Sequence, residues 1–144
     1  MIFPSQRYTI TELRICKSMR ILDAFSYTER VMRIYISLGR DPKGHKQREG
    51  DGKTPEGLYH ISGRNDKSAY YKNLGISYPQ AKDLREGTDP GGDIKIHALP
   101  GKRQLPDRFY MPHDWTDGCI AVPAQVMDYL FGHCPDGTPV HIFP

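Results

Sequence analysis

The sequence lacks any apolar run of the roughly 20 residues that a membrane-spanning helix requires, so we expect no membrane span. It also lacks a cluster of basic residues, because its 20 lysines and arginines are spread along the chain and leave a formal net charge of +3. A nucleic-acid-binding surface concentrates such residues, so we expect no nucleic-acid partner. The first residues show no basic segment followed by an apolar one, so we expect no signal peptide within this sequence.

Cysteine is scarce and its spacing is irregular. The 3 cysteines are Cys16, Cys119 and Cys134, and no two form the Cys-x-x-Cys pair of zinc and redox sites. An odd number allows one disulfide with a free thiol, or no disulfide at all. The chain is long enough to bury a core without such links. We therefore expect a single domain over residues 1–144, and a monomer.

Glycine and proline are plentiful, at 14 and 12 residues, and favour short elements joined by tight turns. Apolar and polar residues alternate in seven or so runs, which predicts short strands. These runs are residues 12–18, 20–25, 30–38, 58–61, 74–78, 93–99 and 138–143. Residues 39–53 are glycine-rich and charged and indicate a surface loop, and residues 54–57 (TPEG) indicate a type I turn.

One helix is predicted, immediately after Val122. Pro123 suits its first turn, and apolar residues recur at helical spacing until Gly132 and Pro135 end it. Short strands with a single late helix indicate a mainly β fold, either a β-sandwich or an open barrel. The helix would begin shortly after Cys119.

Cys119 is the candidate nucleophile. A cysteine attacks as the thiolate, and at a pKa near 8.5 only about 3% is ionised at pH 7, so a base is needed. Gly118 would let a carbonyl group approach the backbone, and the amides of this step could bind an oxyanion. Trp115 offers an apolar wall, Thr116 a hydroxyl, and a helix start would favour a thiolate. An isolated cysteine is nevertheless more often a buried structural residue, the role we expect for the other two.

Two histidines compete as the base for this thiol. His97 lies on a predicted strand, on the face opposite its apolar residues, where a packed histidine is not expected. His113 is closer in sequence to Cys119 but lies in a loop. We favour His97. These groups, with Asp114 and Asp117, could also ligate zinc, but no metal-ligand spacing is present, so we expect no metal site.

At these positions the chain resembles the L,D-transpeptidases of bacterial peptidoglycan, the YkuD-type catalytic domain. That family carries a histidine at a strand end, a variable loop, and Ser/Thr-His-Gly-Cys followed by Ile or Val and usually Arg or Asn. The matching positions here are His97 and residues 116–121 (TDGCIA). Residues 54–57 match its Thr-Pro-x-Gly segment, and KSMRILDAF followed by VMRIYISLG matches its first hairpin. The resemblance covers residues 11–144.

The resemblance implies a β-rich fold and a ping-pong reaction without a cofactor, acting on peptidoglycan stem peptides in cell-wall biogenesis and cell shape. Cys119 would attack the carbonyl of the third residue of a tetrapeptide stem, release the terminal D-alanine and form a thioester. His97 would act as base and then as acid, and the amides of Gly118 and Cys119 would bind the oxyanion. An amine of another stem would then form a 3→3 cross-link, or a D-amino acid or water would resolve the thioester.

The chain departs from the family pattern at two positions. Asp117 replaces histidine, and its carboxylate would raise the pKa of the thiol unless it points away or pairs with a cation. Ala121 replaces Arg or Asn, so a contact to the substrate must come from elsewhere. The loop before His113 could supply it, and the candidate cations there are Lys102, Arg103 and Arg108. Further candidates for substrate binding are Trp115, Thr116, Asp117 and His113.

Two other functions are compatible with these residues. One is a peptidoglycan hydrolase on the same fold, either an L,D-carboxypeptidase or an amidase that releases a wall-attached protein. The other is a non-catalytic cell-wall binding module. Because the substrate lies outside the cytoplasmic membrane, we expect the protein in the periplasm or cell envelope, or secreted by a signal-independent route.

Overall fold

The computed structural model describes residues 1–68, 71–99 and 109–144. It contains eight strands, one short 3-10 turn at Ala81–Asp83 and one α-helix, α1, at Ala124–His133. The strands are β1 Glu12–Cys16, β2 Ile21–Ser26, β3 Glu29–Tyr35, β4 Gly57–Ser68, β5 Tyr71–Ile76, β6 Lys95–Ala98, β7 Ile120–Val122 and β8 Pro139–Phe143. The mainly β architecture with one late helix confirms the fold class predicted from the sequence.

All eight strands form one sheet in the order β3-β2-β1-β8-β4-β5-β6-β7. The two ends of this sheet approach each other beyond β3, where Ser37 exchanges both backbone hydrogen bonds with Ala121 of β7, at 3.1 and 3.0 Å. The sheet is therefore a nearly closed barrel, in which both edge strands are largely protected.

Alternation of side chains along the strands builds the core. Leu13 and Ile15 of β1 are fully buried, whereas Arg14 between them is exposed. β8 inserts beside β1 in parallel register, with Leu13 opposite Val140, so the last strand closes the core against the first. The helix α1 packs against β5 and β6 and buries its apolar stripe there, which comprises Val126, Met127 and Leu130.

A second, smaller apolar cluster lies on the other side of β6 and β7. It consists of Leu99, Met111 and Ala121, with Tyr110 and Trp115 packed against it. The face of β6 that carries His97 is therefore covered by the chain around residues 109–116. The sequence-based expectation that this face would not hold a packed histidine was wrong, because tertiary contacts bury it.

Several element boundaries differ from those predicted. The strand β7 was not predicted, because Ile120–Val122 is a continuous apolar run of three residues with no alternation, and its pairing with β6 is long-range. The predicted strands 58–61 and 74–78 have different limits: β4 continues to Ser68, and β5 ends at Ile76. Helix α1 takes Pro123 as its N-cap and continues through Gly132.

The loop at residues 39–53 is a surface segment with a buried ionic centre. The carboxylate of Asp51 accepts hydrogen bonds from three backbone amides, those of Gln47, Arg48 and Lys53, and from the ammonium of Lys46. Burial acts to raise the pKa of Asp51, but these donors prevail and lower it to about 2. The loop is therefore fixed by charge, although its sequence shows no regular element.

None of the helices in the described part of the chain is long and apolar enough to cross a membrane.

Candidate active site

The candidate site is an open cleft with a volume of about 430 Å³ between one face of β5 and β6 and the segment before β7. Its β5–β6 wall is formed by Asn73, Asp93, Lys95 and His97, and its opposite wall by Trp115, Thr116, Asp117 and Cys119. Both residues of the predicted catalytic pair therefore lie in one cleft. A larger cavity of about 550 Å³ near Lys17 and Lys43 contains neither of them.

The parallel pairing of β6 with β7 explains why His97 and Cys119 meet. Ile96 lies opposite Ile120, and His97 lies opposite Ala121. Because side chains alternate between faces, Ile96 and Ile120 point into the core while His97 and the residue before Ile120 share the other face. Cys119 is thus a diagonal neighbour of His97, at a distance between Cα atoms of roughly 7–8 Å.

His97 is held as a neutral base. Its Nδ1 lies 2.8 Å from the carbonyl oxygen of Ala98, and because a carbonyl only accepts, Nδ1 carries the proton and Nε2 is the basic atom. The ring meets Trp115 edge to face, with centroids 6.0 Å apart. Burial lowers the pKa of His97, the bond to Ala98 opposes this shift, and the nearby charge of Lys95 adds to it.

Cys119 is half-buried and is held as a thiol. Its Sγ donates to the carbonyl oxygen of Asp93, 3.2 Å away, and Asp93 adopts the left-handed conformation with φ of 53° that presents this oxygen. Burial raises the pKa of Cys119, and the carboxylates of Asp93 and Asp117 raise it further, whereas the backbone amide and the charge of Lys95 lower it. Together with the lowered pKa of His97, this favours a neutral thiol and imidazole at rest.

The predicted stabilisation of the thiolate by a helix start is wrong. Helix α1 begins at Ala124, and β7 separates it from Cys119. A strand rises by about 3.3 Å per residue, so the helix terminus lies beyond the first-turn range over which its dipole acts.

Thr116 organises the backbone before the nucleophile. Its hydroxyl donates to the carbonyl oxygen of Cys119 at 2.7 Å and accepts from the amide of Gly118 at 3.0 Å. Its own backbone amide donates to Leu38 at 3.1 Å. To bind an oxyanion, the amide of Gly118 would first have to break its hydrogen bond to the Thr116 hydroxyl. The amide of Cys119 makes no such bond to Thr116.

Residues 54–57 brace this backbone instead of forming the predicted type I turn. The Thr54 hydroxyl, which is completely buried, donates to the carbonyl oxygen of Gly118 at 2.9 Å and accepts from the amide of Gly39 at 3.1 Å. The buried ammonium of Lys17 donates to the Thr54 carbonyl at 2.6 Å. The segment thus links the nucleophile to the chain that follows β3.

Gly118 is required by close packing. Its φ is 136°, and a Cβ atom there would lie 2.7 Å from the backbone oxygen of Lys53 and 3.1 Å from the side chain of Ile94. The space that the sequence suggested for a substrate carbonyl is therefore occupied on this side by Lys53.

The two departures from the family pattern have structural explanations. The carboxylate of Asp117 forms an ion pair with the guanidinium of Arg40, which also donates to the carbonyl oxygen of Gly50 at 2.8 Å. Asp117 thus pairs with a cation, yet its carboxylate still raises the pKa of Cys119. Ala121 is fully buried in the second apolar cluster, so its position has no access to the cleft.

The remaining predicted residues divide into three groups. His113 is exposed and does not line the cleft, and the adjacent Asp114 pairs with Arg20 at 2.7 Å. Trp115 lines the cleft, and its buried Nε1 has no acceptor among the described residues. Lys102, Arg103 and Arg108 lie outside the described residues.

Sequence reasoning missed four residues of the site, which are Asn73, Asp93, Lys95 and Thr54. Asn73 and Lys95 line the cleft because they share a face with His97 on adjacent strands, which only the strand register reveals. Thr54 was noted only as part of a turn. Within residues 1–68, 71–99 and 109–144, no group of three or more His, Cys, Asp or Glu side chains is arranged to hold a metal ion.

A cysteine thiol and a buried imidazole thus share one cleft in a mainly β domain built on a nearly closed sheet. The chain belongs to the YkuD family, the L,D-transpeptidase catalytic domain, whose model matches residues 12–142. Cys119, His97 and Thr54 all lie within this match.

Individual relatives agree with this assignment. YafK of Escherichia coli (strain K12), whose name places it provisionally among the L,D-transpeptidases, is 33% identical over an alignment of 120 residues. The match covers 72% of this chain and 42% of YafK. The chain thus spans less than half the length of that relative.

Solved structures share the fold. The helical cell shape determining protein Pgp2 of Campylobacter jejuni has a TM-score of 0.71 at 24% identity, covering 94% of this chain and 48% of Pgp2. An L,D-transpeptidase of Xylanimonas cellulosilytica has a TM-score of 0.62 at 19% identity, covering 98% and 63%.

Proposed function

We propose that this domain is a cysteine acyltransferase that acts on peptidoglycan stem peptides by L,D-transpeptidation. The observation that carries the proposal is the placement of Cys119 and His97 on one face of β6 and β7, in the same open cleft. Membership of the L,D-transpeptidase family supports the choice of substrate.

In the first half-reaction, the Nε2 atom of His97 accepts the thiol proton as Sγ of Cys119 attacks the carbonyl carbon of the third stem residue. The resulting oxyanion is bound by the backbone amide of Cys119, and by that of Gly118 if it leaves Thr116. Collapse of this intermediate breaks the bond to the terminal D-alanine, whose nitrogen takes the proton from His97. The products are free D-alanine and a thioester on Cys119.

In the second half-reaction, an amine of another stem attacks the thioester carbonyl. His97 accepts a proton from this amine and returns it to the sulfur as the carbon–sulfur bond breaks. The product is a 3→3 cross-link and the thiol is regenerated. No step needs an oxidant or a metal, because each transfers only an acyl group and a proton. We also propose that such remodelling contributes to cell shape, the property named for Pgp2.

A neutral resting pair fits this sequence of steps. Burial raises the pKa of the thiol and lowers that of the imidazole, so His97 is unprotonated and ready to accept the proton near neutral pH. The proton then moves during attack and not before it. We place this reaction in the periplasm or cell envelope, where the substrate lies.

The test is product analysis after incubation of the protein with purified sacculi. New cross-linked dimers support transpeptidation. Shortened stems or released wall protein without dimers would indicate a hydrolase instead. Absence of every product, together with absence of an adduct on Cys119 after treatment with a carbapenem, would exclude both enzyme functions and leave a wall-binding module.

A further inference from the structure

Lys95 occupies the position in the cleft closest in register to the nucleophile. Because Ile96 of β6 pairs with Ile120 of β7, Lys95 lies beside Cys119, and its backbone amide contacts the sulfur. Its side chain is half-buried and lines the cleft on the same face as His97. Lys95 thus brings a positively charged side chain into the cleft beside Cys119.

Among the described residues the ammonium of Lys95 is in no ion pair, unlike the other cations near Cys119. Arg40 is held by Asp117 and Gly50, and Lys53 by Asp41 and the Lys43 carbonyl. In the part of the chain that the structure describes, no carboxylate forms an ion pair with Lys95, and Asp93, although it lines the same cleft, does not approach within 4.0 Å.

Asn73 adds a neutral polar group to the same wall. It lies on β5 directly opposite His97, is only 4% exposed, and lines the cleft. No hydrogen bond joins its side-chain amide to another described residue, and its nitrogen and oxygen are not among the fully buried polar atoms that lack a partner. The amide is therefore open to the cleft, where it can donate to a ligand.

Lys95 and Asn73 together form a donor set for an anion. An ammonium supplies a charge-assisted hydrogen bond, and a primary amide supplies two further N–H donors. The scissile bond of a stem tetrapeptide is flanked by two carboxylates, one on the terminal residue and one on the side chain of a diaminopimelate at the third position. Ala121, buried in the second apolar cluster, provides no cation for either of them.

We propose that Lys95 and Asn73 bind a carboxylate that flanks the scissile bond, and so determine the specificity of the cleft. This inference rests on the proposed function for the identity of the peptide. The bound group is a carboxylate in either case. Binding of the two amidated peptides distinguishes the carboxylate of the terminal residue from that of the third-residue side chain. Neither residue takes part in proton transfer, so both are specificity residues.

The experiment measures peptide binding in a Cys119→Ala background, where no acylation occurs. Trp115 is the only tryptophan of the chain and lines the cleft, so its fluorescence reports occupancy directly. Three peptides are titrated: the unmodified tetrapeptide, the tetrapeptide amidated at its terminal carboxylate, and the tetrapeptide amidated at the third-residue side chain. Far-ultraviolet circular dichroism verifies that each variant is folded.

Lys95→Met is expected to weaken binding of the unmodified peptide by about 10- to 100-fold, the loss typical of a charge-assisted hydrogen bond. The same substitution should have little effect on binding of whichever amidated peptide lacks the carboxylate that Lys95 contacts. Lys95→Arg should keep most of the affinity, and Asn73→Asp should weaken binding by charge repulsion. Lys67→Met, which removes an exposed charge from β4 outside the cleft lining, is the matched control and should bind normally.

Three results would overturn the proposal: no binding of the unmodified peptide, equal binding of all three peptides, or Lys95→Met affinities within twofold of the parent. In the last case, loss of binding on charge reversal at Arg103 or Arg108 would assign the contact to the loop before His113. Carbapenem adduct formation on Cys119 of the unmutated protein tests the proposed function separately. If the adduct forms but the three peptides bind equally, only this inference is refuted. If the peptides bind with different affinities but no adduct forms, only the proposed acyl transfer is refuted.

Discussion

The hydroxyl of Thr54 donates a hydrogen bond to the carbonyl oxygen of Gly118, 2.9 Å away, and accepts one from the amide of Gly39 at 3.1 Å. Two segments that are far apart in sequence are therefore fixed by one buried side chain immediately beside the nucleophile. The Thr-Pro-x-Gly segment contributes to the site through this contact.

Replacing Thr54 with valine removes the hydroxyl while keeping the side-chain shape. The Gly39 amide and the Gly118 carbonyl then lose a buried partner, so we expect the free energy of unfolding to fall by about 1–3 kcal/mol. Acylation of Cys119 should slow as well, because the backbone before it is no longer braced. Urea unfolding and a single-turnover acylation assay measure the two effects. Thr54→Ser keeps the hydroxyl and is the control; a Val variant that behaves like Ser would refute the bracing role.

Gly118→Ala tests the close packing beside the nucleophile. A Cβ atom would lie 2.7 Å from the Lys53 oxygen at a φ of 136°, so we expect a loss of more than about 2 kcal/mol and no measurable acylation. Gly137→Ala is the matched control, because Gly137 also has a positive φ, 88°, but open space around it. It should lose only about 1 kcal/mol and retain acylation. Equal effects of the two substitutions would show that packing against Lys53 is unimportant.

The resting protonation state predicts how Cys119 reacts with an alkylating reagent. Because burial raises the pKa of the thiol above its ordinary value, the alkylation rate should still increase with pH beyond about 8.5. The measurement uses iodoacetamide in a Cys16→Ser, Cys134→Ser background, so that only one thiol reacts. A rate that is already constant between about pH 6 and 8 would demonstrate a thiolate–imidazolium pair instead.

The pH dependence of the acylation rate should follow the protonation of His97. Burial holds the pKa of His97 below its ordinary value of 6.5, so His97 should be unprotonated at neutral pH and become protonated only in more acidic solution. We expect the acylation rate to increase with pH, with its midpoint below pH 6.5, and then to level off. Stopped-flow measurements of carbapenem acylation across this range provide the profile. A rate that falls as pH rises through 6.5 would contradict the assignment.

Asp51→Asn tests the ionic centre of the loop at residues 39–53. The pKa of Asp51 is lowered from 3.8 to about 2, so its ionised form stabilises the folded state above pH 3.8, and this contribution is lost as the pH falls toward 2. The substitution should therefore cost about 2 kcal/mol or more at pH 7, because it also leaves the buried Lys46 ammonium unpaired.

Urea unfolding at pH 7 and at acidic pH measures this effect, and the variant should show a smaller loss between pH 4 and about 2 than the parent. Asp41→Asn, which removes a largely exposed carboxylate of the same loop, is the control and should change stability by less than about 1 kcal/mol. Equal stability of the two variants would refute the role of Asp51.

Local patterns in the sequence predicted much of the fold. Alternation revealed the first hairpin because Leu13 and Ile15 face a single core, and the helical spacing of Val126, Met127 and Leu130 revealed α1. The strand β7 was not predictable, because a run of three apolar residues has no period and its partner β6 is distant in sequence. Because β7 was missed, helix α1 was wrongly expected to begin close enough to Cys119 for its dipole to stabilise the thiolate.

The candidate site, like the fold, could be predicted from the sequence only in part. Cys119 and His97 could be identified by residue type and by the family resemblance, and the structure places both in one cleft. The contribution of Lys95 depends on the register of β6 against β7, and the pairing of Asp117 with Arg40 depends on how the loop at residues 39–53 folds back. Neither relationship has a local signal in the sequence.

Intact-mass spectrometry after incubation with a stem tetrapeptide tests the central claim most directly. We expect the unmutated protein to gain the mass of the tripeptide acyl group with release of D-alanine, and Cys119→Ala to gain nothing. His97→Ala should be acylated far more slowly, whereas His113→Ala should be acylated normally. An adduct that persists in Cys119→Ala, or acylation that depends on His113 and not on His97, would contradict this claim.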